Sequence, residues 1–258
     1  MSVYNQGPYV AKAVRSVLAQ TYRRFEFLVV DDGSTDQTPR VLRAIRNPHL
    51  RVVVARPNIG KGRRMNQLLR QARGKYLLEM DGDDWLEPYA LAVLVRTMEH
   101  LPPTVALAYG NRRFHVMARR GIRASVHPGA AFRGKTSFLL RPRVSGPRFY
   151  RTAALRAVGG WPVNYPTGGR LVEDLALLLR LVERFSFHKI PRVLYNVRRH
   201  GRNTSLRHIG RTWGVVGYLV AQARRRAGIR IRPVKPARPV RRARPVRVRP
   251  SRRTKKPR

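Results

Sequence analysis

A chain of 258 residues, 43% of them hydrophobic, can bury a real core as one large domain or as one domain with a tail. It contains no cysteine, which excludes disulfides, thiolate metal sites and a cysteine nucleophile, and it has no apolar run of about 18 residues of the kind that spans a bilayer. Fifty-five Lys and Arg against thirteen Asp and Glu give a formal charge of +42, a surface that attracts phosphorylated substrates, anionic headgroups or nucleic acid.

In chain order, Met1-Ser2-Val3 leads directly into polar residues, and no signal peptide is predicted. Val10, Val14, Val17 and Leu18 have helical spacing and predict a helix over 9–20. Phe25 to Val30 reads as a buried strand, broken by Asp31-Asp32-Gly33-Ser34, and Thr38-Pro39 opens a helix to about Arg46. A strand over 51–55 and a glycine-punctuated turn, Asn58-Ile59-Gly60-Lys61-Gly62, lead into a helix ending near Gln71. Lys75 to Met80 has strand character and runs into Asp81-Gly82-Asp83-Asp84, followed by a helix over 88–100 and a strand over 104–109. This alternation predicts a parallel α/β sheet, in which ligands bind off the carboxyl ends of the strands, where Asp31/Asp32 and Asp81/Asp83 fall.

The pattern weakens over 111–148. Residues 149–158 then read as a helix ending at Gly159-Gly160-Trp161, 171–185 as a strong helix, 187–197 as strand pieces around Pro191, and 205–226 as a final helix. From Arg224 onward there are 17 basic residues and no acid, in an Arg/Pro-rich composition that predicts disorder over 227–258.

Carboxylates are scarce in this chain, so their placement is informative. Eight of the thirteen fall in three clusters: Asp31, Asp32 and Asp36; Asp81, Asp83 and Asp84; Glu173 and Asp174. Like charges packed so closely repel, and a divalent cation that takes one or two carboxylates plus substrate phosphates would relieve the repulsion. A solvated acidic turn, or a helix start favoured by the dipole, accounts for each cluster singly but poorly for all three.

Several motifs agree in order and spacing. They are Val3-Tyr4-Asn5 before a helix, Val29-Val30-Asp31-Asp32-Gly33-Ser34, Asn58-Ile59-Gly60 with Asn66, and Gly74-Lys75-Tyr76 running into Asp81-Gly82-Asp83-Asp84. Downstream come Gly159-Gly160-Trp161, Glu173-Asp174 with Leu179-Arg180-Leu181, and Arg198-Arg199-His200 before Thr204-Ser205. Over about residues 2–205 this resembles a family 2 glycosyltransferase. The resemblance implies a GT-A (Rossmann-like) three-layer α/β sandwich with a mostly parallel central sheet and a truncated first strand. It places a nucleotide-sugar half over 1–110 and an acceptor and catalytic half over 111–205, with a C-terminal helix over 206–226 and the basic tail beyond.

The implied reaction is inverting transfer of a sugar from a nucleotide diphosphate sugar to a hydroxyl acceptor, a glycan or a lipid-linked one, in cell-envelope polysaccharide or glycoconjugate synthesis. The resemblance implies Asp83 and Asp81 as ligands of Mn2+ or Mg2+, with Asp81 also able to hold the ribose. It places Tyr4, Asn5 and Asp32 at the nucleotide, Arg198, Arg199 and His200 over the pyrophosphate, Asp174 as general base beside Glu173, and Gly160 and Trp161 on the acceptor side. Lys61, Arg63 and Arg64 near a helix start are candidates for phosphate, and Asp84 for a capping role. Two departures stand out: Ser2 occupies the position of a proline, and the first strand is reduced to Met1-Ser2-Val3, which predicts roughly ten further residues ahead of Met1. A nucleic-acid-binding protein on this fold and a nucleotidyltransferase remain alternatives. For the tail, docking on the inner face of an anionic membrane by an otherwise cytoplasmic protein is preferred over nucleic acid.

Overall fold

The computed structural model describes residues 1–118, 121–144, 146–201 and 208–229. It contains β1 (Ser2–Val3), α1 (Val10–Leu18), β2 (Phe27–Asp32), α2 (Thr38–Ala44), β3 (Leu50–Ala55), α3 (Lys61–Gln71), β4 (Tyr76–Glu79), β5 (Trp85–Leu86) and α4 (Ala90–Glu99). The second half holds β6 (Val105–Ala118), β7 (Gly121–His127), α5 (Lys135–Leu140), β8 (Arg148–Arg151), α6 (Thr152–Ala157), α7 (Glu173–Leu181), β9 (Ser186–Arg199) and α8 (Ile209–Arg226).

The strands form two sheets. One is parallel, in the order β1-β2-β3; the other is mixed, in the order β4-β8-β6-β9-β5, with β7 added to β6. Within the second sheet only the β6–β9 pair is parallel. Side chains alternate across a strand, so neighbouring residues enter different cores. Val29, Ala108 and Phe149 pack with α1, α2 and α4, whereas Val30, Leu107, Tyr109 and Tyr150 pack with α3, α5, α6, α7 and α8. The result is helices on both faces of the strands, the three-layer arrangement expected.

Three expectations are corrected. Residues 149–158 are not one helix: Arg148–Arg151 forms β8 between β4 and β6, and only Thr152–Ala157 is helical. The region 111–148, whose weak pattern reads only as short β-like pieces, is more regular than that, because β6 continues to Ala118 and pairs with the exposed strand β7. The pieces around Pro191 form one strand, Ser186–Arg199. The last helix is described from Ile209, and the basic tail from residue 230 onward, together with Thr204-Ser205, lies outside the described residues. Among the described residues no helix is long and apolar enough to cross a membrane.

For function, three ends matter. β2 stops at Asp31-Asp32, β4 stops at Glu79 just before the Asp81 turn, and α7 begins at Glu173. Between them lies the start of α3.

Candidate active site

Gly60, Lys61 and Arg64 in the first turn of α3 reach all three acidic clusters. Gly60 has a φ of +92°, which favours glycine, and a Cβ there would stand 2.7 Å from Arg170 Cγ. Its N–H donates to Asp32 Oδ2 at 2.8 Å, and Ile59 N–H donates to Asp32 Oδ1 at 3.0 Å. Arg64 Nε adds a third bond to Asp32 Oδ1 at 2.6 Å, while its other nitrogens reach Pro57 O and Gln67 Oε1. Both partners are buried. The Asp32 carboxylate is therefore saturated from within the protein.

Lys61, three residues ahead of Arg64, points the other way. Its Nζ lies 2.6 Å from Asp81 Oδ1, 3.1 Å from Glu79 Oε1 and 3.1 Å from Glu173 Oε1. Burial alone would lower its pKa, but Asp81, Glu173 and Glu79 outweigh burial and raise it well above the ordinary lysine value. Lys61 is thus the cation shared by three carboxylates, and Glu79 also joins Arg148 and, through it, Asp174. Arg148 Nε and Nη2 form a fork on Glu79 at 3.2 and 3.1 Å, and Nη1 reaches Asp174 Oδ2 at 3.0 Å. Tyr150 OH donates to Glu79 Oε2 at 3.1 Å. Burial pushes the Glu79 pKa up, yet Arg148 and Lys61 win and hold it below the ordinary carboxylate range.

Glu173 and Asp174 stand at the start of α7, where Val172 takes a left-handed φ of 54°. Glu173 is buried, which pushes its pKa up to about 7; Lys61 opposes this, while Asp174 and Glu79 add to it. Asp174 keeps a third of its side chain open to solvent.

The turn after β4 carries the other carboxylates. Asp83 Oδ2 lies 3.0 Å from His200 Nε2, and the His200 ring stacks on Tyr9 with centroids 4.3 Å apart. Burial first, then repulsion by Asp81, raises the Asp83 pKa. Asp84 is buried and accepts the Arg198 N–H at 2.9 Å, while Arg198 Nε reaches Asp83 O at 3.3 Å. The Arg198–His200 segment at the end of β9 is thereby strapped onto the acidic turn. Asp84 does not take the expected capping role at α4, whose N-cap is Tyr89; its carboxylate holds this strap instead.

The structure corrects several expected roles. Lys61 faces carboxylates, not an open phosphate site, and Arg64 is a buried partner of Asp32. Asn5, at a φ of 52°, uses its side-chain oxygen on the N–H groups of Thr35 and Asp36, so it joins two loops. Trp161 is 1% exposed and packs edge-on against Tyr150, so its indole offers no face to an acceptor. Its backbone and Asn66 exchange two hydrogen bonds of 2.8 Å. Gly160, at a φ of +71°, lets this happen, since a Cβ there would stand 2.3 Å from Asn66 Oδ1. Tyr4 is 47% exposed beside the Asp32 loop. Two members of the site had escaped the sequence reading, Glu79 and Arg148. The signal for Glu79 was a lone carboxylate inside the apolar run Leu77-Leu78-Glu79-Met80.

Among the described residues no group of three or more His, Asp or Glu stands ready to hold a metal ion. Asp81 raises the cost of ionising Asp83 two residues on, and the pair does fit a cation shared with a diphosphate, whose oxygens would complete the shell.

The architecture is that of the GT-A glycosyltransferases, with solved relatives on the same fold. S. aureus TarS 1-349 in complex with UDP superposes with a TM-score of 0.64 at 21% identity, over 86% of this chain and 63% of that one. A mannosyltransferase, PcManGT from Pyrobaculum calidifontis, in complex with GDP-Man and Mn2+, gives 0.64 at 21% identity over 87% and 62%. The chain belongs to glycosyl transferase family 2, whose family model matches residues 1–159. Hyaluronan synthase of Pasteurella multocida is 28% identical over 241 residues, 88% of this chain but 23% of that protein. The putative glycosyltransferase EpsE of Bacillus subtilis (strain 168) is 28% identical over 205 residues, 77% of this chain and 71% of its own length.

Replacing Lys61 by Met leaves three carboxylates facing one another without their common cation. Chemical denaturation of Lys61→Met should give a loss of about 3–5 kcal/mol, the cost of breaking a buried ion pair from one side. A second outcome concerns pH. A folded pKa of about 7 for Glu173 lies above its ordinary value of 4.5, so the folded state binds the proton more tightly than the unfolded one. Its contribution to stability is full below about pH 4.5 and is lost as pH rises through about 7. The stability difference between the native protein and Glu173→Gln, followed by denaturation across that window, should therefore shift in favour of the variant as pH rises.

Proposed function

We propose that this chain moves a sugar from a nucleoside diphosphate sugar to an acceptor hydroxyl, with inversion at the anomeric carbon. The observation that carries this reading is the Lys61–Arg148 network, which holds the Asp81–Asp83 turn and the Glu173–Asp174 helix start against one another. The bound molecules of the solved relatives, UDP and GDP-Man, support the donor class, and the likeness to a hyaluronan synthase supports a polysaccharide or glycoconjugate as acceptor.

In this reading Asp174 takes the proton from the acceptor hydroxyl as its oxygen attacks the anomeric carbon. The bond from that carbon to the diphosphate oxygen breaks, and the nucleoside diphosphate leaves with the electron pair. Asp174 suits the role because it is partly open to solvent, whereas Glu173 is committed to Lys61. Asp83 and Asp81 would hold Mn2+ or Mg2+, which supplies neutralisation of the charge developing on the leaving diphosphate. Arg198 and His200 sit against the same turn and would meet the diphosphate from the β9 side.

Asp174→Asn should lower kcat about 100- to 10,000-fold, the usual contribution of a general base. It should keep the thermal stabilisation that a panel of UDP- and GDP-sugars with Mn2+ gives the native protein, and Asp83→Ala should lose the Mn2+-dependent part. Full turnover by Asp174→Asn would remove the base assignment.

A second partner is assigned to the basic stretch 224–258: the anionic inner face of a membrane. Only its first residues are described, with Arg226 paired to Glu183 and Arg224 on Leu139 O at the end of α8. Sedimentation with phosphatidylglycerol vesicles should retain the full chain and release a chain cut after residue 223. Equal retention on neutral phosphatidylcholine would count against a charge-driven contact.

A further inference from the structure

β7, β6 and β9 lie side by side in the second sheet, so residues in register across them share one face. One such row is His127–Arg112–Tyr195, the next Ser125–Phe114–Val197, and the third Arg123–Val116–Arg199. The first row begins at the acidic turn, because the Tyr195 hydroxyl oxygen accepts the Asp81 N–H at 3.0 Å. The opposite face carries Arg113 and His115, which are held by Glu87 and Asn196.

The cations of the first face are not matched in this way. No ion pair among the described residues involves Arg112, Arg143 or Arg199, whereas Arg113 and Arg148 are taken up by Glu87, Glu79 and Asp174. The Arg112 and Arg199 guanidiniums lie over the ring of Phe114, 4.6 and 4.4 Å from its centroid. Arg112 Nε is buried and has no hydrogen-bond acceptor among the described residues. Burial, then repulsion by Arg143, Arg199 and Arg148, pulls the Arg112 pKa down to about 10. Like charges crowded around a half-buried cation are costly unless an anion joins them. One of the repelling neighbours, Arg148, is the residue that holds Asp174.

We propose that Arg112, Arg143 and Arg199 form the seat of a phosphate group carried by the acceptor. This rests on the transferase reading above and names its acceptor class, a phosphate-bearing molecule whose attacking hydroxyl lies towards Asp174. Guanidinium forks match phosphate geometry, and a phosphate offers three of them more oxygens than a carboxylate does. Arg198 and His200 engage the Asp83 turn, whereas Arg199 between them turns to Phe114, so the cluster is separate from the groups assigned to the donor diphosphate. A single-stranded nucleic acid would need an open aromatic face, and Phe114 is 6% exposed.

The test titrates the full chain calorimetrically in EDTA with glycerol phosphate, standing for a phosphate polymer, and with farnesyl diphosphate, standing for a lipid carrier; the tighter of the two names the source. Arg112→Gln should weaken that binding about 10-fold or more. Arg40→Gln, at an exposed position on α2, should leave it unchanged. Without ligand, the Tm of Arg112→Gln should equal or exceed the native value; a lower Tm with unchanged phosphate affinity marks a structural arginine and overturns the proposal. Saturating UDP with Mn2+ should leave the phosphate bound, and displacement by UDP overturns the proposal. Equal losses from the two variants, equal affinity for glucuronate, or tighter Arg112-dependent binding of oligo(dT) overturn it as well. If UDP- and GDP-sugars fail to stabilise the native protein while Arg112-dependent binding persists, the transferase reading falls and the phosphate seat is upheld.

Discussion

One turn of helix, Gly60 to Arg64, sets the positions of the three acidic clusters. Lys61 and Arg64 are three residues apart, close to one helical turn, yet their side chains diverge to opposite targets: Arg64 to Asp32 at the end of β2, Lys61 to Asp81, Glu79 and Glu173. The backbone of the same turn adds the Gly60 bond to Asp32 and a bond from Gly62 N to Gly169 O, 2.9 Å long, in the loop leading to α7. A Cβ on Gly62 would press on that loop at 3.0 Å. The helix start therefore fixes β2, β4 and α7 relative to each other, and the site exists because these three connections close at once.

Burying so many charges is costly unless each finds its partner. Glu79 shows how the balance is struck. Its fully buried carboxylate takes a two-pronged guanidinium, a lysine and a tyrosine hydroxyl, which leaves no oxygen unmatched. The chain as a whole is strongly cationic, yet six of its thirteen acids gather in this one place. The surrounding surface draws polyanions by long-range attraction, while the acidic island within it favours a cation near Asp81 and Asp83.

The sequence made the first half of the fold readable, since α1 through α4 and β2 through β4 obey simple helical or strand periodicity. It hid the second half for two reasons. Phe149-Tyr150 is a short apolar run that suits a helix or a strand, and its pairing with β4 and β6 decides the matter only in three dimensions. β6 and β7 carry arginines and histidines along an exposed arm, so no apolar alternation marks them. At the site, the clusters and their neighbourhood were legible, but the cations were misread. Lys61 and Arg64 near a helix start look like phosphate ligands until Asp32, Asp81 and Glu173 are seen to occupy them. Trp161 after two glycines looks like a surface platform until the loop is seen folded inward on Asn66.

Glu173 and Asp174 are adjacent in sequence and differ in chemistry because the helix start turns them apart. Glu173 faces inward to Lys61 and is held by burial near a pKa of about 7. Asp174 faces the opening, with one oxygen on Arg148 and the other on the N–H of Leu175 at 2.7 Å. The contacts on Asp174 orient it and leave part of it accessible. Glu173 instead ties the helix to the Asp81 turn through Lys61. If the two exchanged places, the open carboxylate would be locked in the ion-pair network and the link between the two halves would face solvent. Neighbouring carboxylates set in such different surroundings support dividing the work between positioning and proton transfer.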